Sequence, residues 1–459
     1  MKEAGAMEER THELSRGKRR LSFCSDLIRR ALDVLRSGES CSLVGVGSSG
    51  KSNIARHMAR HDVLAYHLGP AAAACLSVLV NCTDLAEYTP AALHTLMLDA
   101  LLRALRDAPH SPYPLTTTVT DLRDQAIASA ARARINLKDA FAEIFRAGFD
   151  QLFILLDDFD HVVQHAPSAT LNSLRSFRDD HKRRLMYVTF TRRELAYLRE
   201  EAEFQELYEL MASHTIAIGP YADDDARSLV QELSAQWGIR GVSQAAVEAL
   251  LAWSGNHPGL LRAAMTALRH DPSLYLGAPN ALSRLQSNNV DVLPECERIW
   301  ESLEVEEQAV LAALARGLPA EGDALRPLEA KGVIHKPSGR YVIRSPIFAA
   351  FVASQSLPAR RPFEFDPTRD AVQINGHVIS GLSPVERHLL RRIRERHPRP
   401  ATRTELLAEM LEHESSPRPY SGNPEARLAQ YLLSLQRRLD SVKPGCLRID
   451  PTGSCQLVL

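Results

Sequence analysis

Residues 45–52 read Gly-Val-Gly-Ser-Ser-Gly-Lys-Ser, and no other stretch constrains the folding of this chain as tightly. Glycines let a backbone curl until several N–H groups point inward at the start of a helix, which makes a cradle for phosphate oxygens. Gly45, Gly47 and Gly50 supply that freedom, with Val46, Ser48 and Ser49 between them. Lys51 would reach the β- and γ-phosphates of a nucleotide, and the Ser52 hydroxyl would hold Mg²⁺, with Asn53 next in the helix. Such a loop needs a strand before it and a helix after it. The apolar run 41–46 and the helical pattern 53–60 meet both requirements. The chain is expected to bind ATP or ADP with Mg²⁺. The bland alternative is a Gly-Ser turn beside a surface lysine.

A second signal supports the first. The apolar run 151–156 ends in Asp157-Asp158-Phe159-Asp160. A buried strand ending in acids places carboxylates at the C-terminal edge of a sheet, where ligands bind in such sheets. Asp157 would order Mg²⁺, and Asp158 would orient or deprotonate an attacking water. A plain acidic helix cap is the alternative. The run 185–191 then ends in Thr191-Arg192-Arg193, where Arg192 can sense the γ-phosphate. A solvated helix start explains the same arginines.

Around these motifs the pattern alternates strand and helix. Helices are expected at 25–37, 90–107 (Thr89 as cap, Pro90 in the first turn), 120–146 and 168–179, and strands at 41–46, 75–82, 151–156 and 185–191. That order predicts a parallel α/β sheet. After Gly219-Pro220 the strands stop, and residues 222–236, 244–254 and 258–269 read as a helical lid. Residues 271–290 read as a linker. Helices at 295–316 and 325–331, then a hairpin of 332–334 with 341–343, follow the order of a winged helix. Residues 1–20, ending in Lys18-Arg19-Arg20, read as a solvated arm or as a basic contact to DNA. The expected domains are 1–20, 21–220, 221–290, 291–357 and 358–459.

Composition removes several function classes. Lys and Arg number 55 against 56 Asp and Glu, for a formal charge of −1, so any DNA affinity must come from a local patch. The seven cysteines form no C-x-x-C pair, which argues against a zinc or disulfide framework and for a reducing cytoplasm. No apolar run is long enough to span a bilayer.

Over residues 20–270 the chain resembles the P-loop ATPases of the AAA+ and STAND groups. The acid motif resembles Asp-Glu-x-Asp of origin-recognition-type AAA+ proteins, with Asp158 in place of Glu. Thr191-Arg192 resembles the sensor 1 pair of NB-ARC-type STAND proteins. Residues 254–261, Ser-Gly-Asn-His-Pro-Gly-Leu-Leu, resemble the STAND Gly-x-Pro lid motif. By that likeness Pro258 packs near the adenine, and Arg262 falls where a sensor 2 arginine sits. His257 reads as a turn residue. A simple helix–turn–helix connection accounts for the same segment. The shorter Asp158 implies slow turnover, which suits a switch. Arg192 and Arg193 are candidates for a finger acting across a subunit interface in a nucleotide-dependent oligomer.

Residues 364–459 resemble the OmpR/PhoB-type winged-helix DNA-binding domain. Short strands lie at 363–365, 372–374 and 378–379, with an Asn375-Gly376 turn. Capping boxes at Ser383…Glu386 and Thr402…Glu405 open two helices, a third runs from 424 to 439, and a hairpin closes at 447–449 with 456–459. By the likeness, Arg427, Gln430, Tyr431 and Ser434 face the DNA groove, and Arg437 and Arg438 meet phosphates. The wing departs from the family pattern and the third helix is only mildly basic, so docking to a protein stands beside DNA binding. The whole reads as an ATP-binding, slowly hydrolysing switch coupled to a DNA-binding domain, a transcription regulator. The alternatives are a STAND-type signalling or defence ATPase with a protein partner, or an AAA+ loader or transposition ATPase.

Overall fold

The computed structural model describes residues 19–109, 112–199, 204–239, 242–270, 282–283, 285, 290–355, 363–366, 371–374, 377–379, 382–396, 399–413, 423–440, 447–450 and 453–457. The chain divides into two units, Met1–Gln355 and Ser356–Leu459.

The first unit is built on five parallel strands: β1 (Cys41–Val44), β2 (Cys75–Asn81), β3 (Gln151–Asp157), β4 (Leu185–Thr191) and β5 (Thr215–Ala217), in the order β2-β3-β4-β1-β5. β1 and β4 are buried at every position, and β3 at all but its first. A parallel sheet is covered on both faces, so its central strands read as unbroken apolar runs. The expected parallel sheet is present, with a fifth strand that the sequence pattern had not marked. β5 is only three residues long, and an edge strand that short carries no periodic signal. Some buried polar groups in the sheet are paired. Ser42 and Thr189 share a hydroxyl hydrogen bond at 2.7 Å across β1 and β4, and Tyr187 Oη donates to Leu174 O at 3.0 Å.

Helices α1 (Ser25–Arg36), α2 (Lys51–Met58) and α3 (His61–Leu68) surround the start of the sheet. Beyond β2 come α4 (Pro90–Asp107), α5 (Tyr113–Ala128) and α6 (Ala133–Arg146). The expected cap is made, with Ala92 N–H donating to Thr89 Oγ1 at 3.2 Å. The single helix expected over 120–146 is broken instead, because Ser129 turns extended and a 3₁₀ turn, Ala130–Arg132, separates the two pieces. α2 begins at Lys51, two residues before the expected start. α7 (Asp160–His165), α8 (Ser168–Asp180), α9 (Leu195–Leu198) and α10 (Gln205–Ala212) flank the later strands.

The lid is α11 (Asp223–Trp237), α12 (Gln244–Ser254) and α13 (Pro258–His270). The linker expected at 271–290 lies almost wholly outside the described residues. Then follow α14 (Leu293–Glu301), α15 (Val305–Ala315), α16 (Leu325–Ala330), the pair β6 (Ile334–His335) and β7 (Val342–Ile343), and α17 (Pro346–Ser354). A capping box that the sequence reading missed, Glu304 with Glu307, opens α15. Glu307 also pairs with Lys331 at 2.7 Å, both side chains under a tenth exposed.

Arg20, expected on a solvated arm, is bound in the first unit. It donates to Asp225 Oδ1 from Nη2 at 2.7 Å and from Nε at 3.2 Å, while Cys24 N–H donates to Asp225 Oδ2. Arg19 lies over the Phe23 ring at 4.5 Å. The six described cysteines are all free, and all but Cys24 are buried. Among the described residues no helix is long and apolar enough to cross a membrane.

The second unit opens with three antiparallel strands, β8 (Phe363–Asp366), β9 (Ala371–Ile374) and β10 (His377–Ile379), in the order β10-β9-β8. The Asn375-Gly376 turn lies outside the described residues. Three helices follow, α18 (Pro384–Arg396), α19 (Arg403–His413) and α20 (Pro424–Asp440), then the hairpin of β11 (Leu447–Ile449) with β12 (Cys455–Leu457). Both expected capping boxes form. Ser383 N–H donates to Glu386 Oε2 at 2.7 Å and Glu386 N–H to Ser383 Oγ at 3.2 Å. Thr402 N–H donates to Glu405 Oε2 at 2.9 Å and Glu405 N–H to Thr402 Oγ1 at 3.4 Å. Leu389, Leu390, Ile393, Leu406, Leu435 and Leu439 fill the core of this unit.

Candidate functional site

The loop between β1 and α2 curls because two of its residues are left-handed, Ser48 at φ 55° and Gly50 at φ 90°. Gly50 is needed there for space as well, since a Cβ would lie 2.5 Å from Tyr221 Oη. The turn lays residues 48–53 along the floor of a cavity of about 330 Å³. Asp158 and Arg192 reach it from the ends of β3 and β4. Leu229, Pro258, Gly259 and Arg262 reach it from the lid, and Glu295 from α14. The structure therefore brings together the loop, the acid strand, the arginine strand and the lid motif.

Lys51 is buried, and its Nζ donates to Gly45 O at 2.8 Å and Val46 O at 2.9 Å. An ammonium has three donors, so one remains for a phosphate oxygen. Burial lowers its pKa to about 8, against the pull of Asp160. Asp157 is buried and accepts a hydrogen bond from Ser52. Burial first, then the neighbouring charge of Asp158, raises its pKa. A buried carboxylate beside a second acid and tied to a serine hydroxyl suits a divalent cation. Asp158 has φ 51°, and its N–H donates to Asp157 Oδ1 at 3.2 Å.

The site fits a nucleotide phosphate. On the cavity wall, Ser49 Oγ is a buried polar atom without a hydrogen-bond partner, and a hydroxyl can donate to a phosphate oxygen. Such atoms are uncommon in folded interiors and call for an explanation, which a bound polar group provides. Asp160, given no role from sequence, is the strongest electrostatic support of the Lys51 charge. It also accepts Arg192 N–H at 2.8 Å, which fixes the end of β4 beside the acids. Its place as the third acid of the motif was the available signal.

The lid touches the loop closely. A Cβ on Gly259 would sit 2.5 Å from Ser48 Cβ. His257 is the turn residue expected of it, with Nδ1 accepting Leu260 N–H at 3.3 Å. Burial, with the Lys51 charge next, pushes its pKa down to about 3. Two contacts and one unpartnered atom from beyond the lid had no sequence signal. Gly47 N–H donates to Ser302 Oγ at 2.8 Å, a Cβ on Gly47 would lie 2.3 Å from Arg298 O, and the buried Glu295 Oε2 is unpartnered.

Arg193 does not match the finger expected of it. Its Nη2 donates to Glu301 O at 2.8 Å and its Nε pairs with Glu304 at 3.4 Å, so it anchors α14 and α15 within the same chain. Arg192 is exposed toward the cavity.

In the second unit the set expected to face DNA is split. Gln430 and Arg437 are exposed, Arg438 is exposed and lies 4.0 Å from Glu386, and Arg427 is half-buried. Tyr431 packs on the core and Ser434 donates to Glu386, so these two turn toward the body of the unit. Leu428, Leu432, Leu435 and Leu439 set the buried face of α20. The opposite stripe is Ala426, Gln430, Leu433 and Arg437, all exposed.

In comparisons with known proteins, residues 24–190 match the model of the AAA ATPase domain family. No curated protein matches the chain. Among solved structures, the Walker-type ATPase of Pyrococcus abyssi is 14% identical, with 71% of this chain and 94% of that one covered and a TM-score of 0.43. The ORC2 protein of Aeropyrum pernix is 12% identical (72% and 92% covered, TM-score 0.36). A STAND protein with a tetratricopeptide repeat sensor from Pyrococcus horikoshii is 15% identical (90% and 53% covered, TM-score 0.24).

Proposed function

We propose, from an AAA ATPase domain at residues 24–190, that the protein is an ATP-operated switch whose C-terminal unit binds duplex DNA as a transcription regulator. One observation carries the nucleotide half: loop, acid strand, arginine strand and lid face a single cavity. Backbone amides of residues 48–53 would hold phosphate, with the third Lys51 donor beside them. Ser52 and Asp157 would hold Mg²⁺, which supplies charge neutralisation. Asp158 would orient or deprotonate water. Arg192 from the sheet and Arg262 from the lid would meet the phosphates, and Pro258 would pack near the base. A γ-phosphate that engages Arg262 favours one lid position over another, and only such a difference in affinity can drive a switch.

The DNA half rests on the order of helices and hairpin in the second unit and on Gln430, Arg437 and Arg438. A second reading, a STAND-type ATPase that docks a protein through this unit, is favoured by exposed Leu433 on the open face of α20. Residues 291–357 would form a winged helix with a structural role, and Ser302 within it accepts a hydrogen bond from Gly47 N–H.

The test is retention of pooled genomic duplexes by the full chain at fixed moderate salt, with ADP and with a non-hydrolysable ATP analogue, beside Lys51→Ala. Selective retention that differs between nucleotides and is insensitive to nucleotide in Lys51→Ala supports the regulator. Nucleotide binding without retention in either state rejects the DNA half and favours docking.

A further inference from the structure

His388 lies on α18, and Glu409 and His413 lie one turn apart on α19. Their donor atoms fall within 4.8 Å of one another, which no other group of three among the described histidines, cysteines and acids does. His388 Nδ1 stands 3.8 Å and His413 Nε2 3.4 Å from one carboxylate oxygen, Glu409 Oε1. The two imidazoles stack with centroids 3.5 Å apart and planes 9° from parallel.

These separations are long for hydrogen bonds, whose N···O distances run about 2.7–3.2 Å. They bring three ligand atoms near one another, and one ring must turn out of the stack for both in-plane lone pairs to meet one ion. Donors held tetrahedrally about 2.0–2.1 Å from zinc stand roughly 3.4 Å apart. The neutral ring leaves a lone pair for a metal. Glu409 Oε2 has Arg392 Nε at 3.9 Å, an outer partner that orients the carboxylate and leaves Oε1 to the site.

We propose that His388, Glu409 and His413 form a binding site for a divalent transition metal of the zinc class. Two imidazoles and one carboxylate select such an ion over Mg²⁺ or Ca²⁺, which take oxygen ligands. All three side chains are partly exposed, between 19% and 31%, so an ion can enter and a water can complete the shell. Arg387, Arg391 and Arg392 make the surroundings cationic, which limits affinity. The bound ion would join α18 to α19 and couple metal binding to the folding of this unit.

The test is Zn²⁺ titration of chelator-treated full chain by calorimetry, with Co²⁺ absorption as a second readout on the unmutated protein. One equivalent should bind, and His388→Gln and His413→Gln should each weaken it at least about tenfold, as loss of even an outer partner does. His161→Gln should leave it unchanged. That residue stacks on His165 at 6.0 Å and controls for adventitious histidine pairs. Zn²⁺ should raise the melting temperature of the parent chain and not of the two variants. Unchanged affinity in both variants, loss matched by His161→Gln, or no visible Co²⁺ band in the parent would each overturn the site.

Discussion

The N–H of Gly47 in the phosphate loop donates to the hydroxyl of Ser302, 255 residues later, at 2.8 Å. A buried donor loses about 1–3 kcal/mol when its acceptor is removed. Ser302→Ala should therefore destabilise the first unit by that amount, as urea unfolding would record. Gly47→Ala should cost at least as much, because its Cβ would meet Arg298 O at 2.3 Å and α14 must give way. Equal stability of both variants with the parent would mean that α14 does not rest on the loop.

Lys51 should set the pH dependence of nucleotide affinity. With its pKa lowered by burial to about 8, it loses its charge as pH rises through that value, and phosphate binding needs the charge. ADP affinity should fall between pH 7 and 9. In Lys51→Arg the fall should disappear, since arginine stays protonated. Fluorescent-nucleotide titrations across that range would show either result.

Metal and water roles should separate at the two acids. Asp157→Asn should remove most of the Mg²⁺ dependence of ATP binding. Asp158→Asn should leave binding nearly intact and slow hydrolysis by roughly 10²-fold or more, the usual range for losing a general base. Paired measurements of nucleotide dissociation and phosphate release decide this. A Mg²⁺ dependence untouched by Asp157→Asn would move the cation elsewhere.

Acid should destabilise the first unit through its buried neutral histidines. His94 is buried and donates through Nε2 to Ser173 Oγ at 2.8 Å, because that hydroxyl gives its own proton to Thr170 O. Burial lowers the His94 pKa from 6.5 to about 4, and that of His57 likewise. The unfolded chain then binds more protons in this window, so stability is full above pH 6.5 and is lost progressively toward pH 4. Unfolding curves from pH 7 to 4 should show the decline, and His94→Gln should make it shallower. A decline of unchanged steepness would exclude His94 as a contributor.

Breaking the pair of Glu307 and Lys331 should be costly, since each would leave the other charged and buried. Lys331→Met should destabilise by about 3–5 kcal/mol, and Lys331→Met with Glu307→Leu should recover much of the loss. Thermal unfolding of both variants would test it.

Local grammar carried much of this chain. The glycine spacing of the phosphate loop, the unbroken apolar runs of β3 and β4, and the Ser383…Glu386 and Thr402…Glu405 caps are each decided by residues a few positions apart. Their readings from sequence hold in the structure for that reason. Where the energy comes from residues far apart, sequence was silent. The contact of Ser302 with Gly47, the tie of Arg193 to Glu301 and Glu304, and the pairing of Arg20 with Asp225 each join segments separated by more than a hundred residues. The family likeness alone put Tyr431 and Ser434 on the open face of α20. The leucine stripe packing on α18 and α19 set the rotation of that helix and turned both inward. Sequence determined the curled glycine loop between β1 and α2. Only tertiary packing decided what closes over it, because burial and pairing across the chain, not local propensity, fix those contacts.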